Sequence, residues 1–137
     1  MINKNNERET DFDINISPVG WYSAAILLRF EVEGENQDNL NRRCLAWENF
    51  HIIKAGSPDE AFEKATKLGK SFENKYNNTE GENVRWIFEG LTMLVPIYEE
   101  LHDGAEIGWT EHENKAVKTI KGFVKPKDEL EVFEKYE

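Results

Sequence analysis

The sequence predicts an α+β fold: an antiparallel sheet of about four to five strands with one long helix packed on one face. Three observations predict it. Apolar and polar side chains alternate from Trp21 to Glu33, a helix opening stands at Ser57-Pro58-Asp59-Glu60, and further strand-like runs separated by turn signals follow that helix. The 137 residues suit one domain, at roughly 100–200 residues per domain. We divide the chain into a flexible leader over 1–17, an α+β domain over 18–125 and a C-terminal helical tail over 126–137.

The leader is rich in Asn, Glu, Asp and Lys, with scattered apolar side chains. In the first strand Tyr22, Ala24, Ile26, Leu28, Phe30 and Val32 share one face, and Arg29, Glu31 and Glu33 share the other. Trp21, Ser23, Ala25 and Leu27 carry no charge, so that end of the strand is expected to be covered on both faces. The polar run Gly34 to Asn41 is a turn. A second strand, about Arg43 to Ala55, sets Leu45, Trp47, Asn49, His51 and Ile53 against Cys44, Ala46, Glu48, Phe50 and Ile52; this mixed pattern predicts a central strand. The helix then combines a serine N-cap, proline at its first position and glutamate at its third. Ala61, Phe62, Ala65, Leu68, Gly69, Phe72 and Tyr76 recur at helical spacing, which predicts a helix to about Tyr76.

Val84 to Glu89 reads as a third strand with Val84, Trp86 and Phe88 on one face. Pro96 argues against a central strand after it, so a turn or short helix is expected before that proline. Asp103-Gly104 predicts a tight turn between strands Ile97–Leu101 and Ala105–Thr110, with Ile107 and Trp109 facing the core and Gly108 at a bulge or close approach. Val117, Ile120 and Phe123 fit a final strand or short helix, and Pro126 to Glu137 a frayed helix.

The order of these motifs is similar to that of an uncharacterised bacterial family, domain of unknown function 4288. The resemblance rests on Trp21-Tyr22-Ser23-Ala24, on Trp47-Glu48-Asn49, and on Lys54-Ala55 before the Ser-Pro-Asp-Glu-Ala opening. Trp86-Ile-Phe-Glu-Gly-Leu91 and Leu94-Val-Pro-Ile-Tyr-Glu-Glu-Leu101-His-Asp-Gly-Ala-Glu-Ile107 extend it. It covers about residues 20–113 and implies no activity or catalytic residues.

Composition excludes several function classes. No apolar run approaches the ~18 residues of a membrane span, and the polar N-terminus is no secretory signal. A lone Cys44 excludes an internal disulfide framework and a cysteine zinc site, and a cytoplasmic compartment is the expectation. Cys44 beside Arg42 and Arg43 reads as a core or semi-buried thiol, since no base accompanies it. His51, His102 and His112 read as surface histidines that do not converge on a metal, and no cofactor is expected. Nucleophile elbows, zinc-binding helices and phosphate loops are all absent from the sequence. At a net charge of −10, with its basic residues interleaved among acids, the chain is not expected to bind nucleic acid.

Charge concentrates in one place. Residues 80–113 hold nine acidic side chains and only Arg85, a net of −8, together with Trp86, Tyr98 and Trp109. Such a face steers basic partners and rejects others. We therefore expect a non-enzymatic acidic binding protein, of the immunity type that neutralises a basic toxin, with Glu89, Tyr98, Glu99, Glu100, Asp103, Glu106 and Trp109 contacting the partner. Two rivals stand beside it. One is a homodimeric structural or regulatory domain that uses an exposed sheet edge. The other is a small enzyme working through Glu48 and the carboxylates of Glu99–Glu106.

Overall fold

A computed structural model describes residues 13–34, 38–133 and 135. The expected leader therefore lies largely outside the described residues. Its last member, Ser17, is buried.

Four strands form one antiparallel sheet: β1 (Trp21–Val32), β2 (Ala46–Lys54), β3 (Asn74–Asn77) and β4 (Asn83–Pro96), in the spatial order β2-β1-β4-β3. One fourteen-residue helix, α1 (Pro58–Ser71), separates β2 from β3, and the six-residue α2 (Val117–Gly122) follows the sheet. The described residues of the tail hold two single 3-10 turns, Lys127–Glu129 and Glu131–Phe133, rather than one frayed helix. No helix among the described residues is long and apolar enough to cross a membrane.

β1 is an inner strand, paired with β2 on one side and β4 on the other. Its even side chains Tyr22, Ala24 and Ile26 are buried, and so are Ser23 and Ala25 on the opposite face. The uncharged end of the strand is thus covered on both sides, as its composition predicts. Tyr22, Ala24, Ile53, Ala55, Ala61 and Ala65 make one buried cluster, with Leu68, Leu91 and Leu94 packed against it.

The helix begins where the sequence places it. Ser57 Oγ accepts a hydrogen bond from the Glu60 N–H at 3.1 Å, and Glu60 Oε2 accepts one from the Gly56 N–H at 3.3 Å. The first bond satisfies a donor that the first turn would otherwise leave open, and the second ties the residue before the cap to that turn. Small residues Ala61, Ala65 and Gly69, four apart, form its buried line. The helix ends at Ser71 rather than Tyr76, and Tyr76 sits in β3 opposite Val84. Asn74 and Asn77 are poor helix formers, whereas pairing with β4 satisfies the backbone there.

Two other expectations are corrected. β2 is an edge strand and not a central one, which explains its mixed pattern: Trp47, Phe50 and Ile52 are exposed. β4 does not stop at Gly90 but runs on to Pro96 as an inner strand. It manages this with two irregularities in its register against β1, which skips Glu89 and Thr92, and with Gly90 at φ 147°. Pro96 is tolerated because it is the last residue of the ladder, opposite Tyr22, where a missing N–H costs little.

The hairpin expected around Asp103-Gly104 forms only its turn. Ala105 N–H donates to the His102 carbonyl at 3.0 Å and Gly104 takes φ 91°. No strands flank it, and Ile107 and Trp109 are about half exposed rather than core residues (52% and 46%). The segment is nevertheless anchored, because Ser23 Oγ donates to the Ile107 carbonyl and Gly108 lies against Met93 and Ser23.

Candidate functional site

The acidic segment leaves β4 at Ile97, which is buried. Ile97 N–H donates to the Trp21 carbonyl at 2.9 Å, and its own carbonyl accepts from Ser17 Oγ at 2.5 Å. From this fixed point Tyr98, Glu99 and Glu100 emerge into solvent, and Asp103 and Glu106 follow, all exposed. Glu99 closes the turn on itself: its Oε1 accepts from the Glu106 N–H at 2.7 Å and lies 3.7 Å from His102 Nε2.

Trp109 returns to stack on Tyr98, with ring centroids 6.2 Å apart and planes 22° from parallel. The Tyr98 hydroxyl donates to the Ile14 carbonyl. Burial pushes the Tyr98 phenol above its usual range, and the charge of Asp13 adds to the effect. Glu99, Glu100, Asp103, Glu106, Tyr98 and Trp109 therefore belong to one turn. Glu89 does not join them, being in β4 and bonded through Oε2 to Arg29 Nε at 2.8 Å.

The carboxylates of this turn all lie open to solvent. Glu48 is also exposed, and its Oε2 accepts from Thr92 Oγ1 at 2.7 Å. Cys44 is exposed rather than buried. His51 stacks on Phe72 at 5.3 Å, His112 meets Phe123 in a tilted contact at 4.9 Å, and His102 Nδ1 lies 2.8 Å from the Asp103 carbonyl. Among the described residues no three His, Cys, Asp or Glu side chains are grouped so as to hold a metal ion.

A second polar cluster gathers around Glu31. Glu31 is only 3% exposed, although alternation places it on the charged face of β1. Arg85 reaches its Oε1 with Nε at 3.0 Å and Nη2 at 2.6 Å. Oε2 accepts from Arg29 Nη1 at 2.9 Å and from Arg42 Nη2 at 3.4 Å. Burial pushes the Glu31 carboxyl up, but the hydrogen bonds and charges of Arg85 and Arg29 outweigh it and hold it below its ordinary range.

This cluster opens on a groove of about 610 Å³ lined by Glu31, Glu33, Lys75, Asn77, Asn83 and Arg85, among others. Both carboxylate oxygens of Glu31 are already taken by guanidinium groups. The cluster is thus built to tie β1, β4 and the 38–45 connection together. Arg29 and Arg85 were legible as basic residues in strands; their convergence on Glu31 depends on the β1–β4 register, in which Glu31 faces Arg85.

The family model described as Domain of unknown function (DUF4288) matches residues 21–109. That span takes in all four strands, α1 and the acidic turn through Trp109. Neither a curated protein nor a solved structure matches the chain.

Proposed function

The chain belongs to the family described as Domain of unknown function (DUF4288), and we propose that it acts as a non-enzymatic binding protein whose acidic turn docks a basic protein. Within that class we favour an immunity-type protein that neutralises a basic toxin by direct contact. One observation carries the reading: four exposed carboxylates, Glu99, Glu100, Asp103 and Glu106, surround a turn that starts at the stacked Tyr98–Trp109 pair. Acidic charge attracts and orients a basic surface from a distance, while half-exposed aromatic rings supply contact area at short range. Ile97, fixed by one hydrogen bond to Trp21 at the start of β1 and another from Ser17, limits the ordering that docking would require.

The test is co-expression with the product of the neighbouring reading frame, followed by binding kinetics with that purified product. The wild-type chain should protect the host and bind at a rate that falls steeply as salt rises, because the Debye length shrinks to about 8 Å at physiological ionic strength. Replacing Glu99, Glu100, Asp103 and Glu106 together by lysine should slow association roughly 10-fold to 1,000-fold and abolish protection. A folded quadruple variant that binds and protects like wild type would remove the acidic turn from the mechanism.

A further inference from the structure

We propose that β2 is a self-pairing edge: two copies of the chain join antiparallel through Ala46–Lys54, about a two-fold axis beside His51, into one continuous eight-stranded sheet. This surface is separate from the acidic turn and does not depend on its role.

The backbone points the right groups outward. Phe30 N–H donates to the Leu45 carbonyl at 2.9 Å, and Ala55 N–H donates to the Gly20 carbonyl at 3.0 Å. In an antiparallel ladder such bonds recur at every second residue, so the odd residues of β2 turn their N–H and C=O toward β1. Ala46, Glu48, Phe50, Ile52 and Lys54 turn theirs to the open side, where no strand among the described residues pairs. Natural edges are normally blunted by proline, bulges, short length or charged side chains, and here the only charges, Glu48 and Lys54, are of opposite sign. β2 has nine residues, no proline, and an unbroken register with β1.

Side chains select both the occupant and the register. With His51 at the axis, Glu48 of each copy lies opposite Lys54 of the other, a pairing for which its carboxylate turns outward from the Thr92 hydroxyl that it accepts from in the single chain, and Phe50 lies opposite Ile52. These four positions share one face of the sheet, so two Phe–Ile pairs sit between two ion pairs. Phe50 is 70% exposed and Ile52 43% exposed in the single chain. Each opposed pair is one that stabilises antiparallel strands. Shifting the axis to Phe50 would set Glu48 against Ile52 and Lys54 against Ala46, losing both ion pairs. Charge complementarity therefore points to a second copy in one specific register. At the end of the edge Lys64 Nζ donates to the outward Lys54 carbonyl, whose second lone pair stays open to an N–H of the other copy.

Sedimentation equilibrium of the purified chain at tens of micromolar is the primary test, and a dimer is expected. Glu48→Lys and Lys54→Glu should each weaken self-association by at least roughly tenfold, because each sets like charges opposite one another twice. An equimolar mixture of the two variants should dimerise again, since every Lys then faces a Glu. Ile52→Pro removes only an outward N–H, so it should give a monomer with the wild-type circular dichroism spectrum. A monomeric wild type overturns the proposal, leaving the edge to some other strand. So does a dimer that survives both charge variants and the proline, or a mixture that fails to reassociate.

Discussion

Arg85 holds Glu31 across the β1–β4 pairing with two nitrogens on one carboxylate oxygen, Nε at 3.0 Å and Nη2 at 2.6 Å. The carboxylate is buried, whereas Arg85 is partly open to solvent and Arg29 and Arg42 less so. Removing one member of a buried ion cluster leaves the others desolvated and uncompensated, which costs about 3–5 kcal/mol when all are buried. Glu31→Gln should therefore destabilise the fold by roughly 2–3 kcal/mol, discounted because the guanidinium groups reach water. Urea denaturation measures it; a midpoint equal to wild type would mean that the cluster contributes nothing to folding.

The same cluster sets an acid dependence. Glu31 is held below its ordinary value in the folded chain, so its stabilisation is complete above about pH 4.3, the unfolded value, and is lost as pH falls through the depressed folded one. The gap between wild type and Glu31→Gln should stay constant from neutral pH down to about 5 and close below about 4. Urea midpoints taken across that range provide the check, and a gap that widens in acid would reverse the assigned sign.

Gly69 packs α1 onto the sheet by having no side chain. A Cβ built there would lie 2.3 Å from Phe88 Cε1 and 2.5 Å from Cδ1. Gly69→Ala gains helix propensity, about 1 kcal/mol, but forces the ring or the helix to move, an overpacking cost of about 1–3 kcal/mol. A net loss of ~1 kcal/mol is expected. Phe88→Leu in the same chain should recover part of it, since the two residues touch and their effects should not add. Strictly additive losses would show that the contact is not the cause.

Ser57→Ala removes the acceptor for the Glu60 N–H and should cost about 0.5–2 kcal/mol. An unchanged thermal midpoint would mean that the cap adds nothing to stability.

These residues differ in how far the sequence disclosed them, and the difference is physical. The Ser57 cap was legible because its donor lies three residues away, within one turn of chain. β1 was legible for the same reason: alternation is a local signal, and its uncharged end foretold cover on both faces. Glu31 was not legible, because alternation assigns a side chain to a face without telling what lies on that face. Only the register with β4 and the return of Arg42 bury it. β4 was cut short in expectation because Gly90 and Pro96 are strong local breakers. The long partner strand β1 overrides the first through bulges, and the second falls harmlessly at the ladder's end. At the acidic turn the sequence shows the charge and the Asp103-Gly104 turn. That Tyr98 and Trp109 stack, and that Glu89 pairs with Arg29 instead of joining them, is decided by contacts between distant segments.

Ser17 supplies the last test, because it joins the start of β1 to the start of the acidic turn. Its Oγ donates to the Ile97 carbonyl at 2.5 Å and accepts from the Trp21 N–H at 3.1 Å and the Val19 N–H at 3.3 Å. Its own N–H donates to the Tyr22 hydroxyl at 3.1 Å. Ser17→Ala keeps the volume nearly unchanged but leaves a buried carbonyl without this donor and takes a shared acceptor from two amides. Unmade buried hydrogen bonds cost about 1–3 kcal/mol each, so the loss should exceed that of the exposed Ser57 cap. The Ile97 amide, bonded to the Trp21 carbonyl beside this hub, should exchange its hydrogen faster in the variant. The α1 amides, remote from the hub, should change only as much as global stability does. A Ser17→Ala chain with wild-type stability and unchanged exchange at Ile97 would show that the turn is positioned without Ser17, by its remaining contacts to Trp21, Ile14 and Ser23 and the Tyr98–Trp109 stack.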